Sequence, residues 1–228
     1  MDFEPFFDQY KALVQQVDAA FERVKSEYAQ CVRCKERCAD CCHALFDVTL
    51  IEALYINTEV LKRFGGASLE ALLEKANRAD RDIHRLKRNA VKELEKGRPE
   101  PEILEEMALK RIRCPALNDD DRCAIYDVRP ITCRVYGIPT EIGGRAHTCG
   151  VSGFEKGESY PTLKLDAVYQ RLYAISAELA QSIKSRYPRL AEMLVPLSMA
   201  LLTEYTDEYL GVSTKDEDDE AEKRSGAS

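Results

Sequence analysis

Three absences bound the reading of this chain before any motif does. No uninterrupted apolar run approaches the roughly 18 residues that cross a bilayer. The longest candidate, Met193 to Leu202, is broken by Pro196 and Ser198. The amino terminus carries Asp2 and Glu4 where a secretory leader would carry positive charge ahead of an apolar stretch. The sequence therefore predicts a cytoplasmic protein with no membrane span and no export signal. Basic residues are in deficit, with 33 Lys and Arg against 40 Asp and Glu and a net charge of −7. That balance argues against a broad nucleic-acid footprint, and no nucleic acid is expected as a partner. A protein partner is left open. Paired carboxylates, a nucleophile beside a base and a glycine-rich phosphate cradle are all missing, so no catalytic residue is assigned.

Histidine is also scarce, at three residues, whereas cysteine is abundant, at nine in 228. Five of those nine lie between Cys31 and Cys42, in CVRCKERCADCC. Read as a helix, this stretch brings Cys31, Cys34, Cys38, Cys41 and Cys42 into an arc of about 100°. Apart from Val32 and Ala39, its other residues are charged (Arg33, Lys35, Glu36, Arg37, Asp40), so the segment has almost no apolar stripe except its thiols. Burial of cysteine as a small hydrophobe explains that pattern poorly. In a reducing compartment, thiols stay free or bind metal, and an odd number cannot all pair as internal disulfides.

The rest of the chain frames this cluster. Apolar residues Phe6, Tyr10, Leu13, Val17, Ala20, Phe21 and Val24 recur at helical spacing between residues 4 and 30. No Gly or Pro stops that helix before the cysteines. Thr49 and Glu52 have capping-box spacing ahead of a helix at about 50–64, ended by Gly65 and Gly66. Residues 68–96 read as a long charged helix carrying His84 on a solvated face, followed by a shorter helix at about 101–111. Composition changes at Arg113. Through Tyr160 the chain is rich in Gly, Pro and Asp, with short β-prone pieces such as 134–138, and would need something such as a metal to order it. Residues 163–187 and 190–210, separated by Pro188, read as an antiparallel helix pair. The stretch 213–228 is charged, lacks aromatics and reads as a disordered acidic tail.

The remaining cysteines, Cys114, Cys123, Cys133 and Cys149, fall in the loop-rich segment, and CPALNDDDRC forms a hairpin-like turn that could converge two sulfurs. Arg113, Arg122, Arg129 and Arg134 lie beside them. Arg129 and Arg134 suit the support of a site as well as they suit the surface. His43 and His147 are further ligand candidates, since zinc accepts mixed Cys and His coordination.

The stretch from Cys34 to Cys42, of form C-x3-C-x2-C-C, followed by CPALNDDDRCAIYDVRPITCRVYG, resembles the YkgJ-like cysteine-cluster family of zinc- or iron-chelating domains. The resemblance implies Cys34, Cys38, Cys41, Cys42, Cys114, Cys123 and Cys133 as metal ligands, with Cys149 as a further one. Cys31 lies outside the motif. Where that family tends to have proline after the aromatic, here Gly137 follows Tyr136. Flagellin lysine N-methylases look similar in the cysteine motif but are longer.

The expected architecture is mainly α with minor β: a single helical domain over 1–212, packed around a metal-ordered cysteine-cluster region at about 31–150. The expected function is metal binding through an iron-sulfur cluster, [4Fe-4S] on four thiolates. One alternative is a structural zinc site in an interaction module. A second is a protein-modifying enzyme related to the methylases.

Overall fold

A computed structural model of the chain describes residues 1–212. The expected tail at 213–228 lies outside the described residues. Among those described, helices dominate and strands are few and short, the mainly α class that the periodicity predicts.

The architecture turns on helix α2 (Leu50–Arg63), which is buried on nearly every side. One face, Leu50, Ile51 and Leu54, packs with Phe7, Tyr10, Leu13 and Val17 of α1 (Glu4–Glu27) and with Leu172, Ile175 and Leu179 of α6 (Leu165–Ser182). The other face, Ala53, Ile56 and Val60, packs with Leu72 and Ala76 of α3 (Gly66–Glu95) and with Leu197, Ala200 and Leu201 of α7 (Leu197–Leu202). A helix with two buried apolar faces has to lie between two packed layers. Each fully buried Leu or Ile there contributes about 1.5–3 kcal/mol.

The capping box at the start of α2 is formed as the sequence predicts. The Glu52 carboxylate accepts from Thr49 N at 3.1 Å and from Thr49 Oγ1 at 3.0 Å. Its other oxygen accepts from Ile131 N at 2.9 Å, at the first residue of α5 (Ile131–Val135). One buried carboxylate thus serves two helix starts, and α5 carries Cys133. Helix α4 (Glu100–Ala108) then pairs with the end of α3.

Two expectations fail. Residues 190–210 do not continue as a helix. They form strand β5 (Leu194–Pro196), then α7, then α8 (Asp207–Leu210). Pro196 cannot sit inside a helix, and β5 instead pairs antiparallel with β1 (Asp47–Thr49), Val195 opposite Val48. The β-prone piece at 134–138 is the end of α5 and the turn after it. The strands lie farther on, at β2 (Thr140–Ile142) and β3 (Arg145–His147). They meet there because Gly143 and Gly144, at φ 56° and 74°, supply the left-handed turn a tight hairpin needs. β2 also pairs in parallel with β4 (Leu163–Lys164). No helix among the described residues is long and apolar enough to cross a membrane.

Candidate metal centre

Helix α1 stops at Glu27, and the N–H groups of Cys31 and Val32 fold back to the Tyr28 carbonyl at 2.8 and 3.1 Å. The stretch Cys31–Cys42 is therefore not the sulfur-faced helix that its spacing allows. It is a loop with a turn closed by Cys38 N on Lys35 O at 2.9 Å and with Arg37 at φ 66°, ending in a 3-10 turn over Cys41–His43. A helix here would have had no apolar stripe to bury, and so no packing gain to hold it. As a loop, the chain turns its backbone to two other segments. The Cys42 carbonyl accepts from Cys114 N at 2.7 Å and the His43 carbonyl from Ile112 N at 3.1 Å, while the Cys31 carbonyl accepts from Gly153 N at 2.8 Å.

Gly153 makes its crossing possible, because a Cβ there would stand 3.1 Å from the Cys31 Cα and 3.2 Å from the Gln30 carbonyl oxygen. Tyr160 packs edge-on against both Tyr28 and Phe154 beside the same crossing.

The hairpin expected at 114–123 is present, closed by Asn118 N on Arg122 O at 2.8 Å and Ala124 N on Ala116 O at 2.7 Å. Its sulfurs are met by main-chain donors. Cys114 accepts from the N–H groups of Ala116 and Leu117, and Cys123 from that of Ile125. Cys149 accepts in the same way from Val151 and Ser152. N–H groups aimed at sulfur favour thiolate over thiol and orient it for a metal.

The eight cysteines of the motif gather in one region, in two groups. In the inner group, Cys41 is in side-chain contact with Cys133 and Cys42, and Cys42 with Cys114, while Cys123 stands beside Cys114 and Cys41. Cys41, Cys114 and Cys133 line one small cavity of about 40 Å³. Its other walls include Phe46, Ala79, Ile83, Pro115 and Leu197, so it is an apolar shell. Sulfurs from three separate segments thus face one space. In the outer group, Cys34 lies near Cys38, Cys149 and Cys41. Cys34 and Cys38 line an open cleft of about 720 Å³.

All nine cysteines are free. The thiols that donate and those that accept separate electrostatically. Hydrogen bonds from Cys133 and Cys42, helped by the charge of Arg129, hold Cys41 down at about 3, and Cys114 is likewise lowered, first by Cys42. Cys42 and Cys133, the donors, are pushed up. Burial raises Cys34 and Cys123 to about 11. Among the described residues no three Cys, His, Asp or Glu side chains converge on one ion-sized point. The donor set nonetheless fits a soft, thiolate-bound metal. Sulfurs that share protons with one another can exchange those protons for a cation.

The neighbours differ in what they do. Arg129 lies over the Tyr126 ring, 3.8 Å from its centroid, and its charge reaches Cys41 and Cys123. Arg134 is buried and braces the backbone instead, bonding Asp18 of α1 at 2.7 Å and the Arg129 carbonyl at 3.0 Å. Arg113 and Arg122 are exposed and pair with Asp119 and with Glu36 and Asp120. His43 donates through Nδ1 to the Ala39 carbonyl at 3.0 Å, and His147 is exposed on β3.

Sequence reasoning missed several residues. Asp40 accepts from Cys149 Sγ at 3.4 Å and pairs with Arg111 at 2.6 Å, joining the cluster loop to two distant segments. Its signal, one acid inside a cysteine motif, was visible but not specific. Gly137 was noted only as a departure from the family pattern. A Cβ there would fall 2.1 Å from Cys34 Sγ, so glycine leaves the space that this sulfur fills.

Residues 33–150, just over half of the chain, match the CxxCxxCC family, described as a putative zinc- or iron-chelating domain. The match takes in the eight motif cysteines and leaves Cys31 outside. Comparison with curated proteins and with solved structures found no match for the chain.

Proposed function

The chain belongs to the CxxCxxCC family of zinc- or iron-chelating domains, and we propose that it carries an iron-sulfur cluster, [4Fe-4S], among the cysteines Cys34, Cys38, Cys41, Cys42, Cys114, Cys123, Cys133 and Cys149. The observation that carries this reading is the cavity shared by Cys41, Cys114 and Cys133. At about 40 Å³ it exceeds the roughly 10–15 Å³ that a single water needs. The inner sulfurs also run in an extended series, Cys133 to Cys41 to Cys42 to Cys114, and a polynuclear cluster takes its thiolates at separate irons. The bound group would supply electron transfer or a redox-sensitive fold. The protein's own residues would neutralise the thiolates through main-chain N–H groups and Arg129, exclude water with the apolar wall, and fix α5 through Glu52. A reducing, cytoplasmic setting suits nine free thiols.

The second reading is zinc. What favours it is the direct contact within the pairs Cys41–Cys133 and Cys42–Cys114, because thiolates sharing one tetrahedral ion at about 2.3 Å lie nearly in contact. Purification without oxygen, followed by metal and acid-labile sulfide analysis, separates the two. The cluster reading expects a brown protein with about four irons and four sulfides per chain. A colourless protein holding zinc and no sulfide would replace it with the second reading.

A further inference from the structure

The open cleft beside the outer sulfurs is lined by more basic than acidic side chains. The chain carries −7 overall, yet among the residues lining this cleft Arg33, Lys35 and Arg111 face a single carboxylate, Asp40. Asp40 is already engaged by Arg111 at 2.6 Å. That leaves Arg33 and Lys35, both exposed and neither ion-paired among the described residues, as uncompensated positive charge.

The backbone that carries Arg33 is held in place. The backbone crossing of Cys31 with Gly153 fixes the strand of loop that bears Arg33, whose Nε lies 3.5 Å from where a Cβ on Gly153 would stand. His43 also lines the cleft, and its ring is oriented by the Nδ1 bond to the Ala39 carbonyl, which leaves Nε2 as the open nitrogen. The volume, about 720 Å³, lies in the range of sites for small organic ligands.

We propose that this cleft is a binding site for a small oxyanion-bearing molecule, a carboxylate or a phosphate, held by Arg33 and Lys35 against the face formed by Cys34 and Cys38. Bidentate guanidinium contact with an oxyanion and a second ammonium contact give both charge and direction. The site goes beyond metal binding.

The test uses the full chain, with metal content measured on every sample. Binding of inorganic phosphate and of malonate is followed by calorimetry at low salt. Saturable binding of either probe is expected, weakened at least ten-fold in the double variant Arg33→Gln, Lys35→Gln, with metal content unchanged. Preference for phosphate or malonate identifies the source of the oxyanion. Lys92→Gln, a cation on α3 outside the cleft, should leave the affinity unchanged. Absence of saturable binding, equal binding by the double variant, or an equal loss in Lys92→Gln would overturn the proposal. A parent protein that holds no metal yet binds the anion saturably would contradict only the metal reading.

Discussion

Cys114 N donates to the Cys42 carbonyl at 2.7 Å, so the two cysteine-bearing halves are joined through backbone, without any sulfur taking part. Ile112 N on the His43 carbonyl and the bridge between Ala44 and Arg111 extend the same seam. The scaffold therefore brings Cys42 and Cys114 side by side before a metal is considered, and binding has less loop entropy to overcome.

Gly137→Ala should damage the centre through Cys34. The new Cβ would stand 2.1 Å from Cys34 Sγ, where no real contact survives, and one sulfur must leave. A loss of stability of about 1–3 kcal/mol is expected, with reduced metal retention. Gly150→Ala is the control, because nothing lies within 4 Å of its added Cβ. Chemical denaturation and metal content of both variants check this, and equal behaviour would remove Gly137 from the account.

Glu52→Ala leaves the N–H groups of Thr49 and Ile131 buried without their acceptor. It should cost about 3 kcal/mol, combining a lost cap with unsatisfied donors. Burial raises the Glu52 carboxyl above its usual value, the donors opposing this only in part. A raised acid pKa means that the fold holds the proton more tightly than the unfolded chain. Its contribution to stability is present below the unfolded value, near pH 4.5, and is lost as pH rises through the folded value. Glu52→Gln should lack that decline. Stability measured across mildly acid pH, at fixed metal loading, reads the difference in slope.

Arg134→Ala removes a buried guanidinium that ties α1 to the segment before α5. Its partner Asp18 is 41% exposed and can be rehydrated, so the cost should fall near 2 kcal/mol, below that of breaking a wholly buried pair. The reverse change, Asp18→Asn, strands the buried charge and should cost at least as much. Thermal melting of the two variants compares them.

What could be read from the sequence was local. The capping box of α2 and the hairpin at 114–123 depend on residues a few positions apart, and both form. The cysteine motif marked the family, whose match spans residues 33–150. The conformation of 31–42 is not legible in the sequence, because no Gly or Pro marks a break. Its shape comes from Arg37 in a left-handed conformation and from bonds to residues 114 and 153, which no local pattern encodes. The pairing of β5 with β1 is non-local in the same way. Gly137 carried a signal, an unexpected glycine in a motif, but only the position of the Cys34 sulfur gives it meaning.

The central claim, that sulfurs from both halves hold one centre, is tested most directly by a double-mutant cycle on Cys41→Ser and Cys133→Ser, which contact each other across the cavity. Bound metal and unfolding free energy are measured for the parent, both single variants and the double. If one centre needs both sulfurs, either substitution alone releases most of the metal, and the double variant falls short of additivity by more than about 1 kcal/mol. Strict additivity, with each substitution removing its own separate share of the metal, would contradict the account.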